Sequence, residues 1–323
     1  MPSNPDSDAA SSPAAAPAHP WRGYFLIAMA TLCWGAAATA GKAVFSGQVF
    51  LGAARISPVM LSQGRTTFAL LVLVIFLLVR RGPKFFQIGK RDAVLCMLVG
   101  IFGLAGSNFF YYYAIQKSTV AVAITLQYTA PVWVLIYMVL RGRQRATLWQ
   151  VAAVLMALLG IALTIGLFHA GANLSGVGVL AALMASFSFA LYNIGGQTLV
   201  GRHHQLQVMA YTLFGSTLLW LVVNPPWRIV AEHFNASQWT FLFVFGCLST
   251  LVPYVFYFTG FKYLDPTRAV VTSCLEPVFA ILFAAIFIGE GVSIVQILGV
   301  AAVLAATVMV QGGAQSPALL DAG

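Results

Sequence analysis

Between residues 23 and 312 the chain is a succession of apolar blocks, each roughly 18–25 residues long, parted by short polar breaks. A helix needs about 20 apolar residues to cross the hydrocarbon of a bilayer, where its backbone groups must be satisfied internally. The blocks therefore dictate membrane-spanning helices before any other feature is weighed. Composition agrees: 60% of the 323 residues are hydrophobic and 8% are charged, against about 25% in a soluble domain. The spans fall at 23–45, 57–79, 92–115, 119–140, 147–168, 176–199, 207–223, 239–261, 267–289 and 293–312. Trp21, Tyr24, Trp149, Trp227 and Trp239 lie near span ends, where interfacial aromatics belong.

The first 21 residues are rich in Pro, Ala and Ser and lack the basic start and apolar centre of a signal peptide. They read as a disordered cytoplasmic tail, with the first span acting as an uncleaved insertion signal. Residues 313–323 read as a second short tail. Cys33, Cys96, Cys247 and Cys274 each sit inside an apolar block without metal-ligand spacing, as small buried residues do.

Ten spans put both termini on one side. With that side cytoplasmic, the inside holds Arg22, Arg80, Arg81, Lys84, Lys90, Arg91, Arg141, Arg143, Arg145, Arg202, Lys262 and Arg268, twelve of the 17 basic residues. Arg55, Lys117 and Arg228 fall outside, and Lys42 and Arg65 lie within spans. The net charge of +9 is thus a topology signal under the positive-inside rule, and it argues against nucleic acid as a partner.

The sequence also matches itself. At an offset of 146 residues "YTAPVWVLIYMVLRGRQRATLWQ" meets "CLEPVFAILFAAIFIGEGVSIVQ", placing Pro131 on Pro277, Thr147 on Ser293 and Gln150 on Gln296 without a gap. At an offset of 155, "WGAAATAGK" from Trp34 meets "FALYNIGGQ" from Phe189. Residues 22–168 and 174–312 then form two copies of a five-span unit. An odd number of spans per copy requires opposite insertion of the two. The loops agree: basic "RGRQR" (141–145) corresponds to "FIGEG" (287–291), which has no basic residue. The expected fold class is all-α integral membrane, ten transmembrane helices as two inverted five-helix repeats. Secondary transporters use that architecture, with the site near the midplane between the halves.

The "WG" of span 1, Arg65 in span 2, "YTAPV" in span 4 and the "LEPVFA" to "GExxSxxQxxG" stretch of spans 9 and 10 resemble the drug/metabolite transporter superfamily. They are most similar to its ten-helix EamA-type exporters, over about residues 23 to 312. The resemblance implies a bundle of two inverted repeats around a central cavity. It also implies export of small metabolites, often amino acids, across a bacterial inner membrane. Such repeats often end span 4 with Gly-Glu, whereas Arg143 and Gln144 stand at those positions here.

Within this frame Glu276 is the conspicuous residue. It lies eight residues past Arg268, about 12 Å along a helix, inside the hydrocarbon and directly before Pro277. A charge at that depth is costly by a few kcal/mol. Pro277 also removes a donor and crowds the carbonyl of Ser273, an opening tolerable only against protein or a wet cavity. Glu276 either lines the pathway, meeting a substrate amine or carrying a coupling proton, or fixes the kink through neighbouring backbone. Pro131 and Pro253 offer kinks of the same kind in spans 4 and 8.

Further pathway candidates are Asn108, Gln127, Asn193 and Ser273, polar groups at depth. Trp34, Tyr112, Tyr128, Tyr254 and Tyr257 lie near span middles or beside prolines. The aromatics suit an aromatic or apolar amino acid through stacking and cation–π contact. Lys42 either meets a carboxylate from the outer vestibule or snorkels to the interface. Arg65 is expected to pair within the bundle or to bond helix-end carbonyls. Glycines 100, 103 and 106 recur every third residue, as on a closely packed small-residue face.

The function expected is a secondary transporter exporting small metabolites, amino acids first, by alternating access. The alternatives are a polytopic membrane enzyme and a non-transporting sensor. His19, His169, His203, His204 and His233 lie in tails or loops without metal spacing, and no nucleophile elbow or phosphate loop is present. No cofactor and no metal are expected, and ATP coupling has no sequence support. Glu276 is the coupling candidate. Span 1 has no acid, which counts against drug/proton exchange. Both copies lie in one chain, so a monomer with a small-molecule substrate and the lipid bilayer as partners suffices.

Overall fold

A computed structural model describes residues 20–45, 56–117, 126–142, 147–164, 175–288 and 293–312. The side chains of Lys42 and Tyr112 lie outside the described set, as do Glu290, Arg143 and Gln144. The described residues are helical throughout, without a strand. Helix α1 spans Pro20–Phe45, α2 Pro58–Arg81, α3 Lys90–Leu98 and α4 Gly106–Lys117, with a π-helical stretch, Val99–Ala105, joining the last two. Then come α5 (Ala130–Leu140), α6 (Leu148–Thr164), α7 (Gly176–Val200), α8 (Gln205–Val223) and the short α9 (Pro226–Ala231). The second half continues with α10 (Ala236–Gly246), a π stretch (Cys247–Leu251) and α11 (Val252–Gly260). It ends with α12 (Pro266–Ser273), α13 (Glu276–Phe283), a third π stretch (Ala284–Ile288) and α14 (Ile294–Gly312). Six helices, counted across their π stretches, are long and apolar enough to cross a membrane. Ala130–Leu140, Leu148–Leu163 and Ile294–Ala306 are shorter apolar helices.

Local chemistry sets the helix starts. Ser57 and Asp265 accept first-turn amides from Met60 and Arg268, each followed by a proline in the first turn, where its missing N–H costs nothing. Asn235 with Gln238, and His204 with Gln207, form reciprocal capping boxes. His203 Nε2 lies 2.6 Å from Asp92 Oδ2, and Arg202 Nη1 lies 3.4 Å from Asp92 Oδ1. Burial, with Lys262 and Arg81 nearby, holds the His204 imidazole below its usual range, so it caps α8 as a neutral acceptor.

The internal repeat recurs as hydrogen bonds. Thr147 and Gln150 bond each other's amides through their side chains, at 3.4 and 3.2 Å. Ser293 and Gln296 do the same 146 residues later, at 2.9 and 3.2 Å. The helices that these boxes start, α6 and α14, pack along each other and cross closely where a Cβ on Gly160 would lie 2.8 Å from the Gly299 carbonyl. The π stretches 99–105 and 247–251 also occupy matching places in the two halves.

Breaks 146 residues apart form the third match. Helix α5 begins after a turn at Tyr128–Thr129, and α13 after a turn at Cys274–Leu275. The Thr129 amide donates to the Leu126 carbonyl and the Leu275 amide to the Thr272 carbonyl, both at 3.1 Å. The opening expected beside Glu276 and Pro277 is the Cys274–Leu275 turn, and the two residues form the first turn of the helix that follows, where the missing proline N–H costs nothing. Pro253 likewise opens α11, directly after a π stretch.

Polarity is distributed as a bilayer requires. Val79, Leu140, Leu148, Val222, Phe287 and Ile294 are largely exposed, a surface no soluble protein would leave uncovered. Thr31, Gln63, Asn193, Thr250, Thr272 and Ser273 are buried inside. The glycine face of the third span is pressed between neighbours: Cβ atoms would lie 2.0 Å from the Thr212 carbonyl at Gly100 and 3.0 Å from Tyr192 at Gly103. Gly100→Ala is therefore expected to cost about 1–3 kcal/mol, read as a lower melting temperature of the detergent-solubilised protein. Gly176→Ala, where nothing lies within 4 Å, leaves the melting temperature unchanged or slightly higher.

Candidate functional site

The two helix breaks meet. From the first turn-break Tyr128 donates its hydroxyl to Glu276 Oε2 at 2.6 Å, across 148 residues of chain. Tyr128 is buried and Glu276 half-buried. Tyr128 lies in the turn that precedes α5, and Glu276 opens α13 directly after the matching turn. A carboxylate held in the membrane needs such a donor, since an uncompensated one is costly.

Beside this pair stands an aromatic group. Trp34 on α1 packs against Tyr254 and Tyr257 of α11, with ring centroids 5.3 and 5.2 Å apart. Tyr254 meets Tyr192 of α7 edge-on at 5.8 Å. The Tyr257 hydroxyl donates to Asn193 Oδ1 at 2.5 Å, and Asn193 Nδ2 to the Phe189 carbonyl at 2.7 Å. Helix α1 joins the two groups. It packs on both α11 and α13, and Gly35 admits α13 so closely that a Cβ would lie 2.7 Å from Phe279 Cβ. Trp34 thus lies one residue from the contact that seats the Glu276 helix.

The remaining candidates separate. Gln127 donates to Ser107 at 2.9 Å and ties the first break to α4. Ser273, fully buried, donates to the Val270 carbonyl at 2.7 Å and closes the end of α12. Asn108 is half-buried on α4 and hydrogen-bonds to none of the other described candidates. Tyr112 and Lys42 carry side chains outside the described residues. In the "FFYYY" run, Phe109 and Tyr113 stack on each other at the exposed surface, while Tyr111 packs against the cluster of Ala114, Ala181 and Ala182.

Arg65, expected to pair within the bundle or to bond helix-end carbonyls, bonds a hydroxyl and a backbone carbonyl. Its Nε donates to Thr250 Oγ1 and its Nη2 to the Ser249 carbonyl, both at 2.9 Å. Both partners lie in the π stretch, whose wide turn leaves carbonyls free of the usual ladder. The guanidinium also lies over the Phe245 ring at 5.9 Å. No local sequence signal marks a π turn, so these partners were not legible. Tyr192 was missed because it reads as one more core aromatic.

Among the described residues no three or more His, Cys, Asp or Glu gather as a metal site. The chemistry available is therefore one acid, one fixed cation, hydroxyls and aromatic faces. Tyr128→Phe is expected to destabilise the protein by about 1–3 kcal/mol, because Glu276 loses its donor. In a Glu276→Ala background the same change costs much less. Equal costs in both backgrounds, measured by thermal unfolding, would show that the bond contributes nothing.

The comparisons with known proteins bear on what such a centre serves. The EamA-like transporter family matches residues 21–166 and again 176–311. The uncharacterized inner membrane transporter YicL of Salmonella typhimurium is 23% identical over 295 residues, 90% of this chain and 95% of its own. The threonine/homoserine exporter RhtA of Escherichia coli K12 is 26% identical over 288 residues, 87% of this chain and 88% of its own. A solved crystal structure shares the fold with a TM-score of 0.71 at 20% identity, covering 90% of this chain and 98% of its own. The two family matches fall on the two halves whose capping boxes and helix breaks coincide, and this multi-pass membrane chain belongs to the EamA-like transporter family.

Proposed function

We propose that the protein is a secondary transporter that exports small metabolites, amino acids foremost, across the bacterial inner membrane by alternating access. The observation that carries this reading is the meeting of Tyr128 and Glu276 at two repeat-related helix breaks. A helix opened at depth is tolerated only where it lines protein or a wet cavity, and transporters place their sites at such breaks. Family membership supports transport, and similarity to an exporter named for threonine and homoserine supports amino acids as cargo.

In this reading residues 22–168 and 174–312 are inverted five-helix units, ten spans in all, with both termini cytoplasmic. The charge difference between corresponding loops supports that arrangement. Because one chain carries both units, the cavity is complete in a monomer. Trp34, Tyr254, Tyr257 and Asn193 form an aromatic and polar wall beside the Tyr128–Glu276 pair, which suits a small amphipathic solute.

The test is uptake of a labelled amino-acid panel into proteoliposomes, by wild type and Glu276→Gln, with and without a pH gradient. Wild-type vesicles are expected to take up amino acids above empty ones. A gradient effect present in wild type and lost in Glu276→Gln assigns the coupling proton to Glu276. Uptake indifferent to the gradient in both proteins makes export passive. No uptake of any amino acid overturns the substrate class.

A further inference from the structure

Among the described residues the bundle holds a cation, Arg65, and an acid, Glu276, each bonded to neutral partners. Arg65 has no ion-pair partner among the described residues, although Asp92 and Asp265 are both paired. Its two hydrogen bonds go to neutral acceptors and its guanidinium otherwise lies over the Phe245 ring, which leaves further guanidinium donors without a counter-charge. Glu276 has one carboxylate oxygen on Tyr128. The π stretch that holds Arg65 and the helix that Glu276 opens both pack on α1, and Arg65 and Glu276 form no ion pair. Direct pairing would be the cheapest way to settle two charges in a membrane, so their separation has to be explained.

The bonds that hold them apart are visible. The π stretch of the tenth and eleventh helices captures the guanidinium through Thr250 and Ser249, and the helix break captures the carboxylate through Tyr128. Two further polar atoms nearby are buried without a partner: Trp34 Nε1, on a side chain 8% exposed, and Ser249 Oγ, on one 1% exposed. Helix α1, which carries Trp34, packs on both the π stretch and α13. An unmet indole donor, an unmet hydroxyl, an unpaired cation and an acid with a spare oxygen therefore border one region. Buried polar groups left open in this way call for a polar guest.

We propose that Arg65 and Glu276 are the two poles of a zwitterion site, Arg65 receiving the carboxylate and Glu276 the ammonium of a free amino acid. The proposal rests on the transporter reading above and deepens it. It assigns recognition to the shared α-amino and α-carboxyl groups rather than to the side chain. A free amino acid is net neutral, so it satisfies both charges without adding one to the membrane interior. Its side chain then meets the Trp34, Tyr254 and Tyr257 wall, whose aromatic faces accept many shapes. An amine or a carboxylic acid alone would leave one pole unmatched.

The experiment measures inhibition of labelled threonine uptake into proteoliposomes by threonine, its methyl ester and its N-acetyl derivative. The full chain is used as wild type, Arg65→Gln and Glu276→Gln. For wild type, each capped analogue is expected to inhibit roughly tenfold less well than threonine, or weaker still. Arg65→Gln is expected to erase the preference over the ester while keeping that over the N-acetyl form, and Glu276→Gln the reverse. Ratios between inhibitors do not depend on how much protein folds. If a variant transports too little to read, Arg65→Lys, which keeps the charge, and the same ratios measured by ligand-induced thermal shift replace it. Wild type that transports threonine but is inhibited equally by all three compounds overturns the two-pole site while leaving transport standing. Variants that lose both preferences together make the charges structural and overturn the assignment. Wild type that transports neither threonine nor any other amino acid overturns both readings.

Discussion

The hydrogen bond from the Tyr128 hydroxyl to Glu276 is the contact on which the rest of the interior depends. Tyr128 lies in the turn before α5 and Glu276 opens α13, and inside a bilayer freed backbone groups and a carboxylate are costly alone. Brought together, the two irregular places share one polar region. Everything packed around them keeps that region closed to lipid: α1 seated through Gly35, the aromatic wall of α11, and the third span pressed onto α7 and α8 through its glycines.

The two halves are built by the same local rules, and the differences between them carry the chemistry. Equivalent capping boxes start α6 and α14, and equivalent amide bonds define the two breaks. At the breaks, however, Tyr128 stands where the other half has Cys274, and Ala130 where it has Glu276. The scaffold is repeated, but the acid and its donor occur once each. A symmetric frame thus holds a site of unlike ends, one acidic and one centred on Arg65. Such a site can orient a dipolar solute.

Much of this could be read from the chain because proline and hydrophobic runs act locally. Pro131, Pro253 and Pro277 mark interrupted helices, and Thr147/Gln150 against Ser293/Gln296 mark the repeat, which the structure shows to be matched helix starts. Pro277 and the crowded Ser273 carbonyl mark an opened helix, but only the structure shows the opening as a turn at Cys274–Leu275 with the proline in the first turn of the next helix. Pairings across the bundle were not legible. Nothing in the residues near Tyr128 names Glu276, 148 positions away, nor Asn193 as the partner of Tyr257. The setting of Arg65 was hidden for a different reason: a π turn is set by packing and has no residue signature of its own, so the carbonyls it frees cannot be counted in advance.

An experimental structure of the full chain with a bound amino acid tests the central claim most directly, because the claim is about place. The account predicts the ligand between the two helix breaks, its carboxylate toward Arg65, its ammonium toward Glu276 and its side chain against Trp34 and Tyr257. A ligand seated elsewhere in the bundle, with Arg65 and Glu276 unchanged in their present bonds, would contradict it.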